Sequence, residues 1–461
     1  MARICIIGCG HVGLVTAACL AELGHEVVCV DVDTTKIQTL NSGGVTIHEQ
    51  YLPELLDSHR GRNLRFLSDL PQAVAECEVI FVAVNTPQRD NGEPDLSQVE
   101  ATAQQLGKCI RSFKLVVEKS TVPVQTSAWI AKVMALNGAP ADCIEVASNP
   151  EFLREGTAVT DFLYPERIII GADGERAVAI LRSIYEPLTS GRFQGAPGLI
   201  PRIPNRPVPP PLIATGTTSA ELIKYACNAF LATKVSFINA VANICDAVGA
   251  DIQQVCVGIG SDSRIGSQFL TPGIGFGGSG FAKDLCTFDL TASKVGYDFR
   301  LLKEVVAINQ EQQVRFMRKL RKILWTLRGK KLAILGLSYK GGTDDVRESP
   351  ALAIVTQLLK EGCELVAYDP AAMNTVAQGL SHKSLTFAGS PYEAAEGSEA
   401  LVILTDWPEF ANLDLARLRR LLLCPFVIDG RNLYDPGVMA EHGAPRFHAV
   451  MNAHRYGLFD G

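Results

Sequence analysis

The sequence predicts an α/β protein with two doubly wound Rossmann-like domains joined by a long central helix. Three observations predict this class: a complete βαβ unit at the N-terminus, a long helical periodicity near the middle, and a last third that repeats the first in outline. At 461 residues the chain is too long for one core, since domains average about 150 residues. We place the three regions at residues 1–214, 215–326 and 327–461.

The overall composition excludes several classes of function. Apolar residues make up 47% of the chain, charged residues 20%, and the net charge of −6 argues against a nucleic-acid or anionic-membrane surface. The 13 cysteines form no CxxC pair and show no metal-ligand spacing, so we expect a cytoplasmic location and no bound metal. No apolar run approaches the roughly 18 residues of a membrane span, and "MARICIIGCG" is not expected to be a signal peptide.

The N-terminal βαβ unit contains the first predicted ligand-binding motif. "RICIIG" is typical of a buried strand, "GCGHVG" places Gly8, Gly10 and Gly13 in a GxGxxG spacing, and the following helix ends at Gly24. The glycines form a tight turn and let a pyrophosphate approach the helix N-terminus. "EVVCVD" is a second strand that ends at Asp31, whose carboxylate can bind a ribose diol and would repel a 2′-phosphate. The unit therefore favours NAD over NADP; a tight turn that binds no ligand is the alternative.

Three further segments are predicted to extend this sheet and to end in polar residues. "EVIFVAVNTP" ends near Thr86, "LVVEKSTVP" near Thr121 and "CIEVASNPEF" near Glu151. The carboxyl ends of parallel strands form the ligand-binding edge of an open α/β sheet. We therefore expect these residues to line one edge, with a simple capped turn as the alternative for each.

A Pro-rich segment at residues 191–212 follows a predicted helix at 174–189. It contains seven prolines between Pro197 and Pro211, so it has few backbone donors and is predicted to be an extended, semi-rigid loop. We interpret it as a surface insertion before the strand "LIAT". A Pro-rich segment that binds a partner is the alternative.

The middle of the chain predicts one long helix, which starts in "TGTTSAELIKYACNAF". Thr218 and Glu221 have the spacing of a capping box at its start. Lys224 and Asn228 are four residues apart and therefore share a face. A helix of this length can join two domains and offer a dimer surface, while a surface Lys–Asn pair without function is the alternative.

The last third predicts a second doubly wound domain. "KKLAILG", "ELVAYDP", "ALVILTDW" and "FVIDGRN" are typical strands, and "SPALAIVTQLLKEG" is a typical helix. The first turn, "GLSYKGGTDDVRES", lacks GxGxxG but contains Lys340 and Arg347. These cations favour a nucleotide-linked substrate whose phosphates they would bind, with plain solvated charges as the alternative.

The motifs together resemble the UDP-glucose/GDP-mannose dehydrogenase family from end to end. They are "GCGHVG", "VNTP", "EKSTVP", "SNPEFLREG", "SAELIKYACNAFLATKVSFIN", "FLTPGIGFGGSGFAKD", "YKGGTDDVRES" and "IDGRN". The resemblance implies an NAD-binding domain at 1–214, a helical dimerisation region at 215–326 and a UDP-sugar-binding domain at 327–461. It implies that the C6 alcohol of UDP-glucose, or a close UDP-hexose, is oxidised through an aldehyde to a carboxylate with two NAD.

Carried over motif by motif, the resemblance implies three sets of residues. The catalytic set is Thr121, Glu151, Glu155, Lys224, Asn228, Gly280 and Asp284. The cofactor-binding set is Gly8, Gly10, His11, Val12, Gly13, Asp31, Lys36, Thr86, Thr121, Glu155, Lys283 and Arg347. The substrate-binding set is Glu151, Phe152, Leu153, Arg154, Glu155, Lys224, Asn228, Arg264, Phe269, Leu270, Gly273, Gly277, Lys340 and Arg431.

The same resemblance implies a role for several of these side chains. Lys224 and Asn228 would stabilise oxyanion charge, and Asp284 would hold or activate a water with Lys224 and Thr121. Glu155 would help to hydrolyse a thioester. Arg264 would reach the substrate of a neighbouring subunit, so a homodimer or higher homo-oligomer is expected.

Gly280 departs from the family pattern, in which a cysteine nucleophile occupies this position. A thiolate adds to the aldehyde and makes a second hydride transfer possible, and glycine cannot do this. Cys286 and Cys227 are predicted to point elsewhere. Three explanations remain open: an engineered variant, a natural enzyme that stops at the aldehyde or oxidises its hydrate, and a catalytically silent protein that binds UDP-sugar and NAD.

Overall fold

A computed structural model describes residues 1–193, 195, 200–204, 206–424, 426–435 and 439, and the backbone of residues 446–449. The chain divides into two compact units. Unit 1 comprises Met1–Cys227 and Cys286–Val295, and unit 2 comprises Asn228–Leu285 and Gly296–Gly461. The division into three regions at residues 214 and 326 stays a prediction.

Unit 1 contains an eight-stranded sheet in the order β3-β2-β1-β4-β5-β6-β7-β8. All neighbours are parallel except β6 and β7, which meet antiparallel at Ser148 and Gly171. The central strands are continuous apolar runs because helices cover both faces of a doubly wound sheet. The strands are β1 (Arg3–Ile7), β2 (Glu26–Val30), β3 (Leu64–Leu67), β4 (Val79–Val82), β5 (Lys114–Glu118), β6 (Ile144–Ser148), β7 (Ile168–Gly171) and β8 (Leu212–Thr215).

Among the described residues, eight α-helices of unit 1 precede β8, and the sequence predicts two of them. The helix after the GxGxxG turn ends just before Gly24, which has a φ of +88°. The predicted helix at 174–189 is also present. The helices are α1 (His11–Glu22), α2 (Thr34–Asn41), α3 (Leu52–His59), α4 (Leu70–Glu76), α5 (Ser97–Cys109), α6 (Thr126–Leu136), α7 (Ala158–Leu163) and α8 (Glu175–Thr189).

Three strands of this sheet end earlier than the sequence predicts. β4, β5 and β6 end at Val82, Glu118 and Ser148, before the predicted ends near residues 86, 121 and 151. At the end of β5 the N–H groups of residues 119 and 120 both donate to the carbonyl of Val82, at 2.9 and 3.1 Å, so the regular ladder stops there. The predicted polar residues therefore lie on loops that follow the strands.

The Pro-rich insertion at 191–212 lies partly outside the described residues, at 194, 196–199 and 205. Within 200–204 and 206–211 it forms no helix or strand, as predicted. The strand "LIAT" follows as β8.

Unit 2 contains a parallel six-stranded sheet in the order β11-β10-β9-β12-β13-β14. The second doubly wound domain predicted for the last third is thereby confirmed. Its strands are β9 (Lys331–Leu335), β10 (Glu364–Tyr368), β11 (Leu385–Phe387), β12 (Ala400–Ile403), β13 (Phe426–Asp429) and β14 (Arg446–Ala449). Its accompanying helices are α13 (Pro350–Lys360), α14 (Met373–Gly379), α15 (Pro391–Ala395), α16 (Pro408–Ala411) and α17 (Leu415–Leu421).

The middle of the chain is helical. It contains α9 (Thr217–Val248), α10 (Ile252–Gly260), α11 (Ser279–Lys294) and α12 (Arg300–Leu324). The long central helix is therefore confirmed, but the capping box at its start is wrong. Both carboxylate oxygens of Glu221 serve the N-terminus of α6, where they accept from the N–H groups of Gln125 and Ser127 at 2.6 and 2.8 Å.

Helix α9 is also long and apolar enough, by length and composition alone, to cross a membrane. Its best window has a mean hydropathy of 1.2, which the sequence analysis did not anticipate. Interior helices of globular proteins pass the same test. Two buried polar side chains of α9 bond inside unit 2: Ser236 donates to the carbonyl of Val305 at 2.7 Å, and Asn239 accepts from the N–H of Gly273 at 2.8 Å. Such packing is typical of an interior or interface helix.

Candidate functional site

The glycine turn after β1 has the features that a dinucleotide requires. Gly8 has a φ of +103°, and a Cβ there would lie 2.4 Å from the carbonyl oxygen of Ala83. A Cβ at Gly13 would lie 1.8 Å from the carbonyl oxygen of Gly8. Gly10 has room for a Cβ, and no side chain caps the N-terminus of α1. Gly8 and Gly13 are thus required for the tight turn and for close packing of α1. Gly10 has no side chain that would block a pyrophosphate at the N-terminus of α1.

Asp31 follows β2 and is anchored by this turn. Its carboxylate accepts from the N–H of Cys9 at 2.7 Å and from the N–H of Asp33 at 2.9 Å. The Nζ atom of Lys36 lies 3.4 Å from the same carboxylate. The predicted cofactor residues Asp31 and Lys36 are therefore adjacent, and the acid is held in a fixed orientation beside the turn.

His11 connects the turn to a loop that carries catalytic candidates. Its Nε2 atom lies 3.2 Å from Glu49, which also accepts from the N–H groups of Gly156 and Ala158 at 2.8 and 2.9 Å. Burial lowers the pKa of His11, but the hydrogen bond and charge of Glu49 outweigh it, and the pKa is raised overall. Glu155 adds to this effect on the pKa and is half-buried. Glu49 is a positioning residue that sequence reasoning missed, since it is 107 residues from Gly156.

The loops that follow β4 and β5, at the predicted ligand-binding edge of the sheet, are joined by a hydrogen bond. The hydroxyl of Thr86 donates to the carbonyl of Thr121 at 2.9 Å. The structure therefore brings these predicted cofactor residues together. Val12, another predicted cofactor residue, is partly buried against the core of unit 1.

Lys224 and Glu151 form a buried ion pair in unit 1. Nζ of Lys224 lies 2.7 Å from Oε1 of Glu151, and the two side chains are 8% and 12% exposed. Glu151 also accepts from the N–H of Leu153 at 2.6 Å. Burial raises the pKa of Glu151, but the charge and hydrogen bond of Lys224 outweigh it and lower the pKa overall. The pair is thus an ionised, nearly dry centre, in which a cation stabilises oxyanion charge better than in water.

Two basic side chains contact the ring of Phe152, next to this pair. The guanidinium of Arg167 lies 4.0 Å from the ring centroid, and Nζ of Lys224 lies 5.6 Å from it. Arg154 instead bonds Asp161, with Nη2 at 2.7 Å from Oδ1. The loop of residues 151–156 is therefore held by side chains outside it, of which Arg167 and Asp161 were not predicted.

A buried polar network lies beneath this loop. The amide of Asn149 accepts from Nζ of Lys119 at 3.0 Å and from the hydroxyl of Tyr185 at 2.5 Å. Its Nδ2 donates to the carbonyl of Ile169 at 2.7 Å. Burial lowers the pKa of Lys119 to about 8. This network orients the turn that leads into Glu151.

In unit 2, Asn228 and Asp284 are in direct contact. Nδ2 of Asn228 donates to Oδ2 of Asp284 at 2.6 Å. Asp284 is 2% exposed and lies on α11. The structure therefore pairs two predicted catalytic residues that are 56 positions apart.

Most glycines of "GFGGSGF" are explained by packing within unit 2. Gly275 and Gly278 have φ values of +106° and +86°. A Cβ at Gly277 would lie 2.3 Å from the carbonyl oxygen of Glu348, and one at Gly278 would lie 2.9 Å from the ring of Tyr339. Gly280 differs, because a Cβ there would meet no heavy atom within 4 Å in the part of the chain that the structure describes. Only at Gly280, among these four, does neither space nor a positive φ require glycine.

The segment before this loop is also held in place. Phe269 has a φ of +63°, Leu270 is buried, and the N–H of Gly273 donates to Asn239 at 2.8 Å. A Cβ at Gly273 would lie 3.2 Å from the carbonyl oxygen of Gly430. The three predicted substrate residues thus form one fixed segment, and their contact with substrate stays a prediction.

Arg431, a predicted substrate contact, bonds three backbone carbonyls of unit 2 in the structure. Its Nε, Nη1 and Nη2 atoms donate to the carbonyls of Leu404, Gly275 and Tyr339, at 2.8, 3.2 and 2.9 Å. A partly buried guanidinium therefore ties the glycine loop to the segments that follow β9 and β12 in unit 2. Any contact of Arg431 with substrate must use its remaining N–H groups.

The other predicted cations of unit 2 lie at or near its surface. Arg347 forms a bidentate pair with Asp345, at 2.9 and 2.7 Å. Arg264 is 87% exposed and bonds Asp262. Lys340 and Lys283 are half-buried. Their contacts with ligands stay predictions.

The turn after β9 differs from the cofactor turn of unit 1 at its acidic residue. Asp369 occupies the position that corresponds to Asp31, but it is fully buried. It accepts from the N–H groups of Leu337 and Ala372 at 2.7 and 2.8 Å and from Nε1 of Trp407 at 3.2 Å. Because these donors occupy the buried carboxylate of Asp369, it cannot bind a ribose diol. The turn after β9 therefore does not have the acidic residue that an NAD site like that of unit 1 requires.

Neither neighbouring cysteine is placed as a substitute nucleophile. Sγ of Cys286 donates to the carbonyl of Gly92 at 3.4 Å, and burial raises the pKa of its thiol. Cys227 accepts from Arg167 at 3.4 Å. Among the described residues, no group of three histidines, cysteines or acids is placed to hold a metal ion.

Comparison with known families covers almost the whole chain. Residues 2–189 match the NAD binding domain of the UDP-glucose/GDP-mannose dehydrogenase family, residues 218–311 its central domain and residues 333–436 its UDP binding domain.

Individual relatives are similar over the same length. The chain is 40% identical over 444 residues to UDP-glucose 6-dehydrogenase TuaD of Bacillus subtilis, which covers 96% of this chain and 92% of that protein. It is 42% identical over 447 residues to the UDP-glucose 6-dehydrogenase of Rhizobium meliloti, with 96% and 98% covered. Among solved structures, a UDP-glucose dehydrogenase from the hyperthermophilic archaeon Pyrobaculum islandicum matches with a TM-score of 0.85 and 34% identity, covering 98% of both chains.

Proposed function

Because the chain belongs to the UDP-glucose/GDP-mannose dehydrogenase family, we propose that it oxidises the C6 alcohol of UDP-glucose towards UDP-glucuronate. Its cofactor is NAD, and its class is that of the NAD-dependent UDP-sugar dehydrogenases. The observation that carries the proposal is the buried, ionised Lys224–Glu151 pair, next to the loop that contains Glu155. The similarity to UDP-glucose 6-dehydrogenases supports glucose as the sugar.

We assign the chemical roles by what each side chain can do. Bound NAD supplies the hydride acceptor. Lys224 and Asn228 are the donors that stabilise negative charge on the C6 oxygen, and Asp284 holds a water or takes the hydroxyl proton. Glu155 would be the base for thioester hydrolysis if a thiol were present at position 280. Substitution of each residue by alanine, followed by separate titrations with UDP-glucose and NAD, distinguishes binding roles from chemical ones.

The four-electron reaction of the family needs a nucleophile that this chain lacks at Gly280. The first hydride transfer requires no thiol, whereas the second must use the hydrated aldehyde. We therefore propose that the reaction is slow and accumulates aldehyde or its hydrate. The open space at Gly280 supports this proposal, because among the described residues no heavy atom lies within 4 Å of a Cβ built there.

The test is the number of NADH molecules released per UDP-glucose, with mass analysis of the sugar product. A ratio near one with a trapped aldehyde supports the proposal. A ratio of two, with UDP-glucuronate formed at an ordinary rate, contradicts it.

A catalytically silent UDP-sugar and NAD-binding protein is the second candidate, favoured only by Gly280. Absence of any NADH over a long incubation, with both ligands bound, would support it. The ionised and paired polar residues, Lys224 with Glu151 and Asn228 with Asp284, favour an enzyme.

We propose that the chain forms a homodimer in the cytoplasm. Phe230, Phe237 and Ile244 recur every seven residues on α9 and are 67%, 55% and 61% exposed. An apolar stripe of this kind is costly in water and suits a partner helix. All 13 cysteines are free thiols, which suits a reducing compartment.

The dimer proposal is tested by light scattering. The unmodified protein should have at least twice the 49.7 kDa of the chain, and Phe237→Asp should reduce the mass towards the monomer. A monomeric unmodified protein would show that the proposal is wrong.

The choice of NAD over NADP is expected to depend on Asp31. Asp31→Ala removes the carboxylate that binds the diol and leaves Lys36 free to attract a 2′-phosphate. NAD affinity should fall about tenfold or more, and the difference between NAD and NADP should narrow. Asp33→Ala, which removes the N-cap of α2 but keeps Asp31, is the matched control. Equal use of NADP by the unmodified protein would contradict the assignment.

A further inference from the structure

The Pro-rich insertion contributes a buried cation to unit 1. The side chain of Arg206 is 9% exposed, although it comes from a loop whose other described arginines, Arg192 and Arg202, are exposed. Nη2 of Arg206 donates to Oδ1 of Asp161 at 2.5 Å, and Nη1 donates to the carbonyl of Tyr164. An arginine that is buried in this way forms part of the packed structure of unit 1.

Asp161 also binds the loop of residues 151–156. It lies on α7 and its side chain is 4% exposed. Its Oδ2 accepts from the backbone N–H and from Nε of Arg154, both at 3.0 Å, and its Oδ1 accepts from Nη2 of Arg154 at 2.7 Å. The hydroxyl of Thr157 donates to the same carboxylate at 3.2 Å. The carboxylate therefore holds both the main chain and the side chain of the residue between Leu153 and Glu155.

The charges of this cluster make Asp161 depend on both arginines. Burial raises the pKa of Asp161, and the hydrogen bonds and charges of Arg154 and Arg206 outweigh it and lower the pKa overall. Without Arg206, the buried carboxylate of Asp161 would have Arg154 as its remaining cationic partner. The loop would then lose one of the two cations that keep its anchor ionised.

We propose that Arg206 is a positioning residue, through which the Pro-rich insertion sets the geometry of the loop of residues 151–156 and hence the affinity for UDP-glucose. The inference rests on the proposed function, in which this loop handles the sugar nucleotide. Arg206 does not contact substrate; it acts through Asp161 and Arg154. The insertion thus supports the substrate loop from outside it, a role that the surface insertion predicted from the sequence does not include.

The test compares Arg206→Ala, Arg206→Lys and Arg202→Ala in the full-length protein. UDP-glucose affinity should fall about tenfold in Arg206→Ala, while NAD affinity should change less than about twofold, because the loop and not the glycine turn is released. Arg206→Lys should recover part of the affinity, and Arg202→Ala should match the unmodified protein. Equal loss of both affinities in Arg206→Ala would show a merely structural role, and no loss in either would also overturn the inference.

Hydrogen exchange separates this inference from the proposed function. The amides of residues 151–157 should exchange faster in Arg206→Ala than in the unmodified protein, whereas exchange in β1 and α1 should be unchanged. If the unmodified protein does not bind UDP-glucose, the proposed function is wrong, and this comparison still decides whether Arg206 holds the loop. Unchanged exchange at 151–157 would overturn the inference.

Discussion

Gly280→Cys should raise the rate of UDP-glucuronate formation by about a hundredfold or more and change the yield from one NADH to two per UDP-glucose. Loss of a nucleophile leaves only residual catalysis, several orders of magnitude below that of a complete site. The position can accept a thiol, because a Cβ at Gly280 meets no heavy atom of the described residues within 4 Å and the residue has no positive φ. Gly280 is the second residue of α11, and a helix N-terminus favours the reactive thiolate.

The thiol would restore three steps: addition to the aldehyde, a second hydride transfer and hydrolysis. The thiolate adds to the aldehyde carbon, and the adduct loses a hydride to a second NAD to form a thioester. Water then cleaves the thioester, which releases the carboxylate and returns the thiol. NADH absorbance gives the rate and the stoichiometry, and mass analysis identifies the acid.

Two variants control for the space and for the chemistry. Gly280→Ala fills the position without a nucleophile and should leave the rate at the level of the unmodified protein. Gly280→Ser adds a hydroxyl, which is a weaker nucleophile at neutral pH, and should give much less than the cysteine. If the unmodified protein already makes UDP-glucuronate at about 1 per second or more, another residue supplies the nucleophile. Cys286→Ala would then be the next variant to assay.

Lys224→Met, made in the Gly280→Cys background, should lower kcat by about a hundredfold to a thousandfold. The substitution keeps most of the length of the side chain but removes the cation that stabilises oxyanion charge, and loss of one such donor has this effect in other enzymes. The Gly280→Cys background is needed because the unmodified protein is expected to be so slow that a further hundredfold loss of kcat could not be measured. Initial rates at saturating UDP-glucose and NAD are the measurement.

The same variant should shift the pH profile. Lys224 lowers the pKa of Glu151, which burial alone would raise, so removal of Lys224 should raise that pKa. Stability due to the ionised Glu151 is present above its unfolded pKa and is lost as the pH falls through its folded pKa. In Lys224→Met the folded pKa of Glu151 is no longer depressed, so the stability that the ionised Glu151 contributes at neutral pH should be lost, and the activity should begin to fall at a higher pH than in the parent. Lys132→Ala, an exposed lysine on α6, is the control; an equal effect there, or none at Lys224, would contradict the role.

The sequence by itself determined the family, the two Rossmann-like domains and the cofactor turn. These depend on local signals: the GxGxxG spacing of Gly8, Gly10 and Gly13, the apolar strands and the helical period of α9. A short-range pattern restricts φ, ψ and the buried face of its own segment, so it can be interpreted without knowledge of the rest of the chain. The carry-over of Lys224 and Asp284 rests on the same kind of continuous motif.

Only the tertiary structure decided which distant groups meet. Glu221 has the local spacing of a capping box, yet it binds the N-terminus of α6, which is 94 residues away at Ser127. Arg206 binds Asp161 across 45 residues, and Gly277 is bare because the carbonyl of Glu348 lies against it. A buried charge or a close backbone contact takes its partner from the topology of the sheet and its loops, and no periodicity within a segment records that partner. For this reason the sequence could predict candidate residues for the chemistry, while the groups that hold them in position became visible only in the fold.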